Sequence, residues 1–132
     1  MAGMAGAARK ILVVEDEALV AMLVEDALLD AGFDVLGPAG TVEEALALLE
    51  RETPDAVVLD LNLAGVTSTP VADWLAARGI PYLIATGYGA TGLPAGHQDA
   101  TVLAKPYDPA ELTCVLDRIC RLERIAGGGP AG

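Results

Sequence analysis

Histidine occurs once in this chain, at His97, and cysteine twice, at Cys114 and Cys120. With no second ligand or nucleophile near it, a lone His97 is expected to be a surface residue rather than part of a metal or catalytic pair. Six residues of helix place two cysteines about 240° apart, too divergent for a disulfide. Free thiols fit a reducing cytoplasm. No apolar run approaches the ~18 residues needed to span a membrane. Arg9-Lys10 followed by Ile11–Val14 is too short and too soon acidic for a signal peptide. Positive charge is scarce: 8 Lys and Arg against 19 Asp and Glu leave a net charge of −11. Such a chain repels nucleic acid and anionic membranes, and neither is expected as a partner. The glycine-rich stretch 87–96 lacks the Gly-Lys-Ser/Thr ending of a phosphate-binding loop.

What is abundant is apolar sequence, 53% of 132 residues. That is enough for one domain, burying roughly 68% of its unfolded surface. Residues 1–8 are expected to be a flexible arm and 125–132 a flexible Gly/Pro tail, around a folded unit at 9–124. Within it, extended and helical patterns alternate. Strands are expected over 10–14, 33–38, 55–60, 80–85 and 101–104. The first helix, 17–31, carries Leu19, Met22, Leu23 and Ala27 at helical spacing and is closed by Gly32. Thr41-Val42-Glu43-Glu44 reads as a capping box opening a helix whose apolar face is Val42, Ala45, Leu46 and Leu49. The segment 61–69 reads as a loop, and Pro70 starts a helix that turns Val71, Trp74 and Leu75 toward the sheet, with Trp74 as a core anchor. Residues 87–99 hold too many breakers for a regular fourth helix. Helix 108–124 presents Leu112, Val115, Leu116, Ile119 and Leu122 on one face. The expected fold class is therefore α/β: a doubly wound, five-stranded parallel sheet in a three-layer α/β/α arrangement. Ligands of such sheets bind at the carboxyl ends of the strands.

Those carboxyl ends carry the chemistry. The run Ala56-Val57-Val58-Leu59 ends in Asp60, and Ile11-Leu12-Val13-Val14 ends in Glu15-Asp16-Glu17. The run ending in Ala85 is followed by Thr86, and the run ending in Ala104 by Lys105-Pro106. An acid that ends such an apolar run needs a cation or hydrogen bonds to offset its burial. A hard dication such as Mg²⁺ (or Mn²⁺) would reconcile the carboxylates and leave a position for a phosphate oxygen. Beside them, Lys105 becomes an ion-pair partner and phosphate contact, and Thr86 a hydroxyl able to bond a phosphoryl oxygen. Glu17 reads as an ordinary first-turn acid. Pro106 is a candidate for a cis peptide that aims Lys105 inward.

Four motifs in order, Ile11–Glu17, Val57–Leu63, Ala85-Thr86-Gly87 and Ala104-Lys105-Pro106-Tyr107, resemble the receiver domain of two-component response regulators over residues 9–124. The resemblance implies the flavodoxin-like strand order 2-1-3-4-5, for which a member of this family is a standard example. It implies Asp60 as phospho-acceptor, Glu15 and Asp16 as the acidic metal pocket, Asn62 as a backbone-carbonyl ligand, and Thr86 and Lys105 as contacts to the phosphoryl oxygens. Receivers often place an aromatic residue three before the lysine. Val102 stands there, so order and disorder in the 87–96 stretch is the expected switch in place of a ring flip. Arg78–Gly89, with Ala85-Thr86-Gly87-Tyr88, resembles the "FAT GUY" receiver subgroup, which implies a sensor histidine kinase, of the HWE type, as phosphodonor. A stand-alone cytoplasmic receiver is the expected whole, signalling to a downstream protein target or phosphotransfer protein, and not a turnover enzyme. Two alternatives stand beside it: a phosphatase of the haloacid dehalogenase type, and a phosphorylation-independent interaction module on the same fold.

Overall fold

The computed structural model describes residues 9–86, 96–97, 100–105 and 108–128, with side chains described through residue 120. Five strands form the main sheet: β1 (Lys10–Val14), β2 (Asp34–Ala39), β3 (Ala56–Asp60), β6 (Tyr82–Thr86) and β7 (Thr101–Ala104). Their order is β2-β1-β3-β6-β7, every neighbouring pair parallel. This is the 2-1-3-4-5 order when only main-sheet strands are counted, so the doubly wound expectation holds. Helices α1 (Ala18–Asp30), α2 (Val42–Arg51), α3 (Thr69–Ala77) and α4 (Pro109–Gly128) cover it.

The period-2 alternation of the strands divides the core in two. Ile11, Val13, Ala56, Val58, Leu83 and Leu103 point to the face covered by α1 and α4, where they meet Val24, Leu28, Leu112, Leu116 and Ile119. Leu12, Val14, Val57 and Leu59 point to the other face, where they meet Ala45 and Leu49 of α2 and Val71, Ala72 and Leu75 of α3. A strand with both faces covered must be apolar at every position, which is why β1 and β3 read as unbroken hydrophobic runs.

Local signals in the sequence acted largely as expected. The Thr41 hydroxyl accepts from the Glu44 amide at 3.1 Å. Glu44, however, reaches back to the Gly40 amide at 2.8 Å, one residue beyond the reciprocal partner of a capping box. Segment 61–69 is not a simple loop: β4 (Asn62–Leu63) and β5 (Val66–Thr67) pair antiparallel around Ala64 and Gly65, both at positive φ. Buried Leu63 and Ser68 pin this hairpin, Ser68 donating from both its amide and its hydroxyl to the Leu61 carbonyl. Trp74 is partly buried against the core, with the Arg78 guanidinium 3.5 Å from its ring centre. Helix α4 runs on to Gly128, past residue 124 where the sequence suggested its end.

Two further expectations fail. The apolar stripe of α1 was read as Leu19, Met22, Leu23 and Ala27, yet Leu19 is 66% and Leu23 59% exposed, and the buried residues are Ala21, Val24 and Leu28. The helix is apolar nearly all round, so periodicity alone chose the wrong stripe. His97 is not a surface residue; it is 5% exposed, because partners distant in sequence satisfy both ring nitrogens. The expected irregular fourth helix, the ordering switch at 87–96 and the conformation of Pro106 lie outside the described residues.

Candidate functional site

Parallel register brings the ends of β1, β3, β6 and β7 to one edge of the sheet. Val14 pairs with Leu59, Asp60 with Ala85, and Thr86 with Ala104. The runs stop within two residues of one level, so the residue that follows, or ends, each run lies at one common edge. Backbone bonds hold the rims. The Glu15 amide donates to the Ala39 carbonyl at 2.9 Å, the Leu61 amide to Ala85 at 3.1 Å, and the Lys105 amide to Thr86 at 3.0 Å.

Asp60 and Glu15 are buried here, 6% and 4% exposed, while Asp16 is open to solvent. Oxygens of these three carboxylates lie within 4.8 Å of one another. The Lys105 ammonium donates to Asp60 Oδ2 and to Glu15 Oε1, each at 3.3 Å. Glu17, read from the sequence as an ordinary first-turn acid, is instead the N-cap of α1 and adds a carboxylate oxygen 3.9 Å from the same ammonium. One cation among four acids leaves negative charge in excess. Burial, with the Asp60 charge adding, pushes the Glu15 carboxyl up to about 7, although the Glu17 amide donates to it. Burial alone would lower the Lys105 ammonium, but the Asp60 and Glu15 charges and their hydrogen bonds outweigh it and the net shift is upward. A crowd of hard oxygen donors with one proton or cation too few is the donor set that suits Mg²⁺ or Mn²⁺.

Thr86 is buried, 2% exposed, beside this cleft as the last residue of β6. Asn62 lies exposed two residues after Asp60; its amide donates to Asp60 Oδ1 at 3.4 Å and its side-chain oxygen accepts from the Gly65 amide. All six residues singled out from the sequence thus stand at one edge. Ser68, which fixes Leu61 beside Asp60, carried no sequence signal, because its role depends on contacts made only in the folded hairpin. Val102 pairs with Ile84 in the sheet, so no ring stands at that place.

Next to the cleft, α1 and α4 enclose an apolar groove of about 290 Å³ in which Val20, Leu23, Ala27, Pro109 and Leu112 meet Lys105. Among the described residues no helix is long and apolar enough to cross a membrane.

The comparisons with known proteins agree with this geometry. The family described as the response regulator receiver domain matches residues 11–117. The transcriptional regulatory protein PdtaR of Mycobacterium tuberculosis is 31% identical over 108 residues, covering 79% of this chain and 53% of that protein. The chain thus spans about half the length of such curated relatives. The solution structure of SdrG from Sphingomonas melonis superposes with a TM-score of 0.75 at 40% identity, over 87% of this chain and 98% of that one. The receiver domain of the sensor histidine kinase PA1611 from Pseudomonas aeruginosa, described with a magnesium ion coordinated in its active site cleft, superposes at 0.72 with 26% identity, over 86% of this chain and 98% of that one. A buried aspartate at the sheet's carboxyl edge, flanked by acids and a lysine on this fold, and a family match over most of its length have one meaning: the chain belongs to the response regulator receiver family.

Proposed function

We propose that Asp60 accepts a phosphoryl group from the phosphohistidine of a sensor kinase, in a reaction that depends on Mg²⁺ or Mn²⁺. The observation that carries this is the position of Asp60: nearly buried, within 4.8 Å of Glu15 and Asp16, and 3.3 Å from Lys105. In the transfer, an Asp60 carboxylate oxygen bonds to phosphorus as the phosphorus–nitrogen bond breaks. The bonding pair returns to the donor's imidazole. Lys105, released from its shared contact with Glu15, turns to the phosphoryl oxygens, and the Thr86 hydroxyl donates to another. Glu15, Asp16, Asp60 and the Asn62 backbone carbonyl would hold the metal, which supplies charge compensation for the transferring group. The chain's own part is positioning in a cleft where those charges already converge.

The haloacid dehalogenase reading has little behind it. Such enzymes need an acid two residues after the nucleophile, and Asn62, which stands there, spends its side-chain oxygen on Gly65. A degenerate interaction module is opposed by the intact set of acids, threonine and lysine. The exposed apolar face of α1 shares the groove that reaches Lys105, so it seats the phosphodonor protein that must approach this edge. The resemblance of Arg78–Gly89 to its receiver subgroup supports a donor of the HWE type and output by protein contact or onward phosphate transfer, and the free Cys114 and Cys120 fit a cytoplasmic setting. Incubation with a small phosphodonor and Mg²⁺ should add one phosphoryl group to the wild type and none to Asp60→Asn. Undiminished labelling of that variant would remove Asp60 as the acceptor.

A further inference from the structure

Three residues far from the acceptor form a second polar constellation. His97 Nε2 lies 2.7 Å from Asp73 Oδ1 on α3, and Nδ1 lies 2.5 Å from the hydroxyl of Tyr82, the first residue of β6. The two rings meet edge-on, 5.9 Å between centres at 70°. A carboxylate only accepts, so Nε2 carries the hydrogen toward Asp73, and Nδ1 shares a second hydrogen bond with the Tyr82 hydroxyl. Burial, with the Asp73 charge adding, pushes the Tyr82 phenol up and keeps it a donor. Gly96, at φ +85°, precedes this position, and the Ala100 amide, just before β7, donates to the His97 carbonyl at 3.1 Å.

The placement matters more than the bonds. Tyr82 begins β6, and His97 leads into the start of β7. The opposite ends of those strands carry Thr86 and Lys105, joined by a backbone bond of 3.0 Å. Four steps of strand span about 13 Å. The constellation therefore grips, at the far end of the sheet, the two strands that hold the phosphoryl contacts, and ties them to α3. We propose that Asp73, His97 and Tyr82 form a positioning clasp that couples the acceptor cleft to α3, so that loading Asp60 shifts the clasp and weakening the clasp shifts the affinity of the cleft. The coupling rests on the reading of Asp60 as acceptor and is reciprocal by linkage.

Because His97 is the single histidine, its ring nitrogens give one unambiguous set of NMR resonances. The full chain is titrated with beryllofluoride and Mg²⁺, a phosphoryl mimic whose binding fluorine NMR reports separately. The free protein should show a hydrogen on Nε2, and loading should move both ring-nitrogen resonances. Tyr82→Phe, which removes one hydrogen bond and keeps the ring, should change the affinity for the mimic about fivefold or more, as should His97→Gln if it remains folded. A merely structural clasp would lower the melting temperature of Tyr82→Phe and leave that affinity alone. Bound fluoride with unmoved ring resonances, or unchanged affinity in Tyr82→Phe, would overturn the coupling. No bound fluoride in the wild type would overturn the acceptor reading, and the coupling with it.

Discussion

Glu15 shows how burial and crowding raise a carboxyl's affinity for its proton. Its carboxyl stands at about 7 in the folded protein against an ordinary 4.5, so without metal the native state binds its proton more tightly than the unfolded chain does. The sign follows: this stabilisation is full below 4.5 and disappears as pH rises through 7. Across that window apo protein should lose on the order of 1–3 kcal/mol. Mg²⁺ needs the carboxylate, so its stabilising effect should grow over the same window. Melting curves between about pH 5 and about pH 8, with and without Mg²⁺, check this; Glu15→Gln should flatten the apo profile and shrink the Mg²⁺ response. Equal Mg²⁺ responses at both ends would mean Glu15 does not hold the ion. Lys105 is the complementary test. Its ammonium is the shared donor to Asp60 and Glu15, and Lys105→Met should slow phosphorylation of Asp60 by about 10²-fold or more while the fold persists. Rates from a small phosphodonor, followed by mass spectrometry, decide it.

At the scale of elements, α1 separates packing from recognition. Leu28 is fully buried and Leu23 is 59% exposed, five residues apart on one helix. Leu28→Ala should cost about 2–5 kcal/mol, whereas Leu23→Ser should change stability by no more than about 0.5 kcal/mol. If α1 seats the phosphodonor, Leu23→Ser slows transfer from a kinase and leaves transfer from a small phosphodonor unchanged. Equal rates in both assays would place the docking face elsewhere. Strand β2 supplies a backbone test. Gly37 sits at φ +88°, and a Cβ there would stand 2.9 Å from the Val13 carbonyl oxygen and from the Ala39 amide nitrogen. The register of β1 with β2 shifts just here, and Ala39 accepts from the Glu15 amide. Gly37→Ala should therefore destabilise by roughly 1–3 kcal/mol and also weaken Mg²⁺ binding. The Thr41 cap offers a control distant from chemistry: Thr41→Ala should cost about 1 kcal/mol and leave phosphorylation intact.

For the whole molecule the governing quantity is a net charge of −11. Self-repulsion opposes the compact state, and added salt screens it over a Debye length of about 10 Å at 0.1 M. The melting temperature should rise with NaCl, and the Mg²⁺ effect should exceed that of NaCl at equal ionic strength only while Asp16 and Asp60 are intact. The same charge explains a division of the surface. Arg9 pairs with Asp117 and Lys10 with Glu52, while Lys105 stands among Glu15, Glu17 and Asp60.

The family resemblance pointed to Asn62; by its own chemistry the sequence determined the sheet, the order of its elements and the other five residues at its carboxyl edge. Each of these rests on local chemistry: unbroken apolar runs for strands buried on both faces, glycine and proline at element ends, and acids, threonine and lysine placed just where the runs stop. Asp60, Glu15, Asp16, Thr86 and Lys105 were legible because a parallel sheet aligns such ends whatever the details of packing. Tertiary structure alone decided which stripe of α1 is buried, since a helix apolar on most sides has several equivalent stripes and only contact with β1, β2 and α4 selects Val24 and Leu28. It also decided that His97 is buried, because its partners Asp73 and Tyr82 lie 24 and 15 residues away. No periodicity or spacing encodes a hydrogen bond between three elements that meet only when the sheet is closed over by its helices.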